Sequence, residues 1–175
     1  MYSPQEAFTV LELQRMTTEY IEAEDRLRLT GELVSGETPV LWLSQRLLLR
    51  LLPHLLLWLE RQRGTAFPAD IEQSFELRAA SQSLGHEAPV QAADHSRQWL
   101  VIAVDMNAAG PILHLTFRGV NSAESVALKL QPFALRQWLS IVHVLWNQAQ
   151  WPASLWPEWM AQTEARREAD KRALH

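Results

Sequence analysis

Leu27-Arg28-Leu29-Thr30 has a counterpart further along the chain in Leu113-His114-Leu115-Thr116. Each quartet alternates leucine with a polar side chain, the period of a strand with one face buried and one wetted. Outward from either quartet the same elements come in the same order. Val34-Ser35 stands over Val120-Asn121, and Val40 over Val126. After a one-residue slip, Leu41 and Leu43 meet Leu128 and Leu130, and Leu48 and Leu52 meet Leu135 and Leu139. Identity between the copies is low, but the order strand, turn, strand, amphipathic segment recurs and predicts an internal duplication. The expected fold class is α+β: two units of antiparallel strands, each followed by a helix packed on a sheet face, related by a pseudo-twofold axis. The units span about residues 7–64 and 75–150 and share one core in a single domain, residues 1–160; residues 161–175 follow as a charged helical tail.

The strand faces can be assigned from this pattern. In residues 25–33, Leu27, Leu29 and Leu33 fall on one side and Arg26, Arg28, Thr30 and Glu32 on the other. Ser35-Gly36-Glu37 supplies turn chemistry, and residues 40–43 return as a second strand. In the second unit Leu113, Leu115 and Phe117 alternate with His114, Thr116 and Arg118, and Val126, Leu128 and Leu130 with Ala127 and Lys129. Trp99-Leu100-Val101-Ile102-Ala103-Val104 is apolar on both faces and predicts a central strand, with a turn over residues 107–111 around Gly110-Pro111. Phe75, Leu77 and Ala79 suggest a further strand, and residues 7–14 another.

Two helices are expected. The first runs from Gln45 to about Arg63, with Ser44 as N-cap and Gly64 as stop. Its leucines, with Trp58, cover most of the circumference and leave a narrow stripe of Arg46, Arg50, His54 and Arg61. Such a helix belongs at the centre of the molecule or across a subunit boundary. Pro53 removes a helical hydrogen bond and predicts a kink near Leu49. The second helix opens with Pro132 and runs to about Gln150. It sets Leu135, Trp138, Leu139, Val142, Leu145 and Trp146 against a wetted side of Arg136, Ser140, His143 and Asn147. Arginines and a proline in the leucine-rich window argue against a membrane span.

Composition narrows the chemistry. The chain has 175 residues, with 16 Lys and Arg against 20 Asp and Glu, a formal net charge of −4 and no cysteine. Disulfides, thiolate nucleophiles and cysteine-based metal sites are excluded. The acidic balance speaks against sequence-independent nucleic-acid binding. Met1-Tyr2-Ser3-Pro4-Gln5-Glu6 is polar and acidic, unlike a secretory leader, so the expected compartment is the cytoplasm. No phosphate-binding glycine loop, zinc helix or nucleophile elbow is present. His86, Glu87, Asp94 and His95 share a patternless stretch, residues 81–97, but match no metal-ligand spacing and read as exposed loop. His114 and His143 read as solvated, and Glu22, Glu24 and Asp25 as the acidic end of a turn. No cofactor, metal or catalytic residue is assigned.

Two features remain as candidate binding sites. Arg46, in the first turn of its helix, opposes the helix dipole, a broken local rule that can mark an acidic partner or bound anion; its stripe continues through Arg50, His54 and Arg61. Trp151, Trp156 and Trp159 lie among prolines in a segment that reads either as an interface, where tryptophan is enriched, or as a cap on the core. The expected function is therefore a non-enzymatic protein-interaction module, an adaptor, assembly factor or chaperone-like subunit. It is expected to form a homodimer and to bind another protein. The alternative is nucleic-acid or anion binding through the arginine stripe.

Overall fold

The computed structural model describes residues 10–62 and 88–161, with residues 169, 172 and 173 of the tail in addition. Alternating leucines draw seven strands into one mixed sheet: β1 (Leu11–Ile21), β2 (Arg26–Leu33), β3 (Val40–Ser44), β4 (Gln98–Leu100), β5 (Ala103–Ala109), β6 (Ile112–Arg118) and β7 (Ser125–Leu130). Their order is β4-β3-β2-β1-β7-β6-β5. Neighbours are antiparallel except for two parallel contacts, β1 with β7 and β3 with β4. The first and last strands of that order are separated in sequence by Val101 and Ile102 alone. Val101 N–H donates to Trp42 O of β3 at 3.0 Å, and Ile102 N–H to Arg118 O of β6 at 2.9 Å. The sheet thus curls until its two ends meet. The single central strand expected over residues 99–104 is instead divided between two partners.

β1 also changes partner along its length. Leu11 and Glu12 pair with β7, and from Leu13 onward the strand pairs with β2. A register shift between Leu13 and Arg15 inserts one residue, so Leu13, Met16, Thr18 and Tyr20 all fall on the core side. The strand expected over residues 7–14 extends through Ile21, and residues 7–9 lie outside the described residues. Glu22–Glu24 then form a 3₁₀ turn, closed by Asp25 with φ 47. At the β5–β6 hairpin the turn is shorter than the sequence suggested. β5 continues through Ala109, and Gly110-Pro111 alone reverses the chain, with Gly110 at φ 61, as the first central residue of a type II′ turn requires.

The inward faces follow the leucine pattern. Leu27 pairs with Leu43, Leu29 with Leu41, Leu113 with Leu130 and Leu115 with Leu128, and all eight side chains are buried. Each contributes about 1.5–3 kcal/mol relative to remaining in water. The outward faces carry ion pairs: Arg15 with Glu32, Arg28 with Glu19, Arg118 with Asp105 and Lys129 with Glu12.

Two helices of 17 residues each, α1 (Gln45–Arg61) and α2 (Pro132–Gln148), follow β3 and β7. Ser44 caps α1, its Oγ accepting from Leu47 N–H at 3.2 Å. The helix continues through Pro53, which stands on the exposed side. α1 is not apolar all round. Leu48, Leu51, Leu52, Leu55, Trp58 and Leu59 are buried, while Arg46, Leu49, Arg50, Pro53, His54, Leu57, Glu60 and Arg61 face solvent. It follows β3 without a break, and its buried side chains join the same core cluster as the strands. α2 departs from expectation in the opposite sense. It packs on β1 and β7, and three of the four side chains expected on its wetted side are buried, Arg136 at 6% exposed, Ser140 at 7% and His143 at 5%, while Asn147 is exposed.

Residues 151–160 return over the C-terminal half of α2, where Trp156 packs on His143 and both Trp151 and Trp156 pack on Trp146. Gln150, at φ 57, turns the chain back; Gln150 N–H donates to Asn147 O and Trp151 N–H to Trp146 O, which closes the helix end. Ala153–Leu155 form a 3₁₀ turn, after which Trp156 and Met160 reach the core. Among the described residues, no helix is long and apolar enough to cross a membrane. Gly64, the strand suggested at Phe75, Leu77 and Ala79, and most of the tail lie outside the described residues.

Candidate interaction surface

The sequence nominated seven binding residues, and the fold separates them into two groups. Trp151 and Trp156 are buried and Trp159 is partly buried against the core. Trp146 contacts both of the first two rings edge-on, with centroids at 4.9 Å and 5.6 Å. Trp156 also packs on the His143 imidazole at 4.8 Å. Trp151 Nε1 donates to Asp25 Oδ1 at 2.8 Å, and the same oxygen accepts from Tyr20 OH at 2.9 Å. These rings close the core over α2, and Trp151 and Trp156 offer no free surface.

Arg46, Arg50, His54 and Arg61 are all exposed on α1. Helical spacing arranges that face in two rows. Arg46, Arg50 and His54 follow one another at every fourth residue; beside them run Leu49, Pro53, Leu57 and Arg61 at the same interval. Leu49 is 43% exposed and Leu57 44%. The four basic side chains make no hydrogen bond or ion pair among the described residues. Strand arginines behave differently, since Arg15, Arg26, Arg28 and Arg118 each meet a carboxylate. A bare basic row beside bare leucines on a rigid helix combines electrostatic steering with an apolar contact.

Other chemistry-bearing groups do not converge. Asp94 and His95 are exposed on the loop before β4, and His86 and Glu87 lie outside the described residues. Among the described residues no three His, Asp or Glu side chains gather as a metal site. A cleft of about 690 Å³ opens between β1, residues 88–90 and α2, walled by Met16, Leu130, Ala134, Trp138 and Ile141. Its size suits a small ligand, but three of its polar side chains are engaged by the fold. Arg15 donates to Ala88 O, Thr17 Oγ1 accepts from Val90 N–H, and Thr18 Oγ1 accepts from Trp138 Nε1. His143 is set against Trp156, and burial holds its imidazole below the usual histidine range.

Two features of this region were not visible from the sequence. The Asp25–Trp151 bond joins residues far apart in the chain and has no local signature. Exposed valines also stand at both hairpin tips, Val34 at 84% and Val120 at 78%; their correspondence was legible from the repeat, but their exposure was not. Compared with known proteins, the chain matches no family model, and no curated protein or solved structure is significantly similar to it.

Proposed function

We propose that this chain is a non-enzymatic interaction module that docks an acidic, partly apolar partner protein on the outer face of α1. The observation that carries the reading is the double row on that face: Arg46, Arg50, His54 and Arg61 without intramolecular counter-charges among the described residues, alongside exposed Leu49 and Leu57. An acidic amphipathic helix meets both rows at once, carboxylates on the arginines and apolar side chains on the leucines. A phosphate backbone would use the arginines alone, and the net charge of −4 works against it at long range. The protein reading is therefore the better supported.

The duplicated architecture belongs to the same proposal. Several correspondences support it besides the leucine alignment: equal helix lengths, hairpins paired in matching register, exposed valines at both tips, and a change of pairing partner ahead of each hairpin, within β1 in the first unit and across the break between β4 and β5 in the second. On this reading α1 and α2 are counterparts. One has been covered by the C-terminal segment, and the other has been left as a docking face.

Capture from the native host tests the function, with wild type and the triple variant Arg46→Glu/Arg50→Glu/Arg61→Glu side by side. The expected result is an acidic partner retained by wild type, released as salt rises and absent from the variant. A partner retained equally by both overturns the reading. Binding of random-sequence duplex DNA by wild type, lost steeply with salt and abolished in the variant, would place the function with nucleic acid instead.

A further inference from the structure

Among the described residues β5 pairs with β6 alone, and its opposite edge carries no strand. Every second residue along such an edge points its N–H and C=O outward, a ready template for another strand. Folded proteins blunt these edges with lysine, proline or a bulge. Ala103-Val104-Asp105-Met106-Asn107-Ala108-Ala109 has neither lysine nor proline. Its one charge, Asp105, is held by Arg118 at 2.7 Å. Residues 105–109 are all exposed.

β1 shows what is missing. After its register shift, Met16, Thr18 and Tyr20 lie toward the core, where Trp138 of α2 bonds Thr18 and Trp151 contacts Tyr20. After the interruption at residues 101–102, Val104, Met106 and Ala108 continue β5 with the same alternation. Of these, only Val104 packs on the core.

We propose that β5 is the surface through which two copies of this chain join, edge to edge and antiparallel, with the twofold axis at Met106. The strand is complementary to itself in that register. Rotated about Met106, Ala103 meets Ala109, Val104 meets Ala108 and Asp105 meets Asn107. No like charges oppose one another, and the Asn107 amide can donate to the carboxylate of the partner's Asp105. The two Met106 side chains lie together on the axis, where a flexible thioether adapts to its twin. An isologous contact of this kind closes at two subunits rather than growing into a fibre. A twofold contact through α1 would instead set the row of Arg46, Arg50 and Arg61 against its own copy.

Light scattering at micromolar concentration is expected to give twice the chain mass for wild type. Met106→Lys and Met106→Glu each place like charges on the axis; each variant is expected to be monomeric with an unchanged far-ultraviolet circular dichroism spectrum. An equimolar mixture of the two is expected to recover the dimer, because the opposed charges then attract. A monomeric wild type, or a dimer that survives both substitutions, overturns the proposal. A mixture that stays monomeric overturns the axis at Met106, and a dimer broken by Arg50→Glu moves the contact to α1.

Discussion

α1 and α2 have the same length, follow strands in the same way and bury leucines at matching turns, yet their outer faces have opposite fates. Leu48, Leu52 and Leu55 of α1 and Leu135, Leu139 and Val142 of α2 are fully buried on the inner side. On the outer side, α1 shows arginines and leucines to water, whereas α2 buries Arg136, Ser140 and His143 and leaves Phe133, Val144 and Asn147 exposed. Leucine content would have put α1 deeper. Around His143 and Trp146 the difference arises from residues 151–160, which return over that part of α2. A helix's own periodicity specifies the face it turns inward; whether the other face stays wet depends on chain elsewhere.

Removing that chain is the most severe test of the comparison. Truncation after Gln150 takes away Trp151, Trp156 and Met160 and uncovers the α2 face. Loss of one buried tryptophan side chain alone typically costs about 3–5 kcal/mol. The expected outcome is aggregation or a large fall in melting temperature, measured by scattering and circular dichroism. Truncation after Ala161 keeps these residues and should leave the melting temperature nearly unchanged. The inner faces should respond alike to a smaller insult. Leu52→Ala and Leu139→Ala, both at positions without solvent exposure, should each cost about 2–5 kcal/mol in chemical denaturation. One harmless substitution beside one disruptive one would break the correspondence of the helices.

Local period made the inward faces legible. Leu27, Leu29, Leu41 and Leu43 were assigned from alternation alone, as were Leu113, Leu115, Leu128 and Leu130, and the structure buries them. Ser44 and Pro132 marked the helix starts because capping is a short-range effect. What escaped depends on distant chain. The curl of the sheet rests on Val101 and Ile102 bonding to two different strands, and nothing in an apolar run announces a change of partner. The turn after α2 lacks the glycine that usually signals it, because Gln150 takes the left-handed conformation instead. Without that turn in view, the tryptophans after it fit an interface as well as a core cap. For the candidate site, the sequence supplied the arginine row in full, but Leu49 and Leu57 were hidden among leucines that face the core.

The cover over α2 should also be readable by acid. Burial lowers the His143 pKa in the folded protein, so near neutral pH the imidazole is neutral and costs nothing. As pH falls through the unfolded value of about 6.5, the unfolded chain takes up a proton that the folded protein resists. Stability therefore declines below that pH until the lower folded pKa is reached, with a slope no steeper than about 1.4 kcal/mol per pH unit. Melting temperature measured from pH 7.5 downward should show this decline in wild type. In His143→Gln the same component should be absent, whatever the substitution costs at neutral pH. An unchanged pH dependence would mean that the cover over α2 opens freely enough to admit the proton.

The smallest effect is expected on the outer row of α1, and it distinguishes that helix from its counterpart most directly. Arg50 is exposed and makes no ion pair among the described residues, so Arg50→Glu breaks none of the contacts they form. Leu57, close to half exposed, leaves little cavity when shortened. Surface substitutions away from special features stay within about 0.5 kcal/mol, and both Arg50→Glu and Leu57→Ser should meet that limit in chemical denaturation. At the turn of α2 that corresponds to Arg50, Gln137 is part-buried, so charge introduced there has less room to remain in water; Val144, 43% exposed, matches Leu57 instead. If Arg50→Glu instead costs several kcal/mol, the row is structural, held by contacts beyond the described residues, and the α1 face is not free for a partner. If it is neutral, the row is maintained by something other than the fold, which is the condition a docking surface must satisfy.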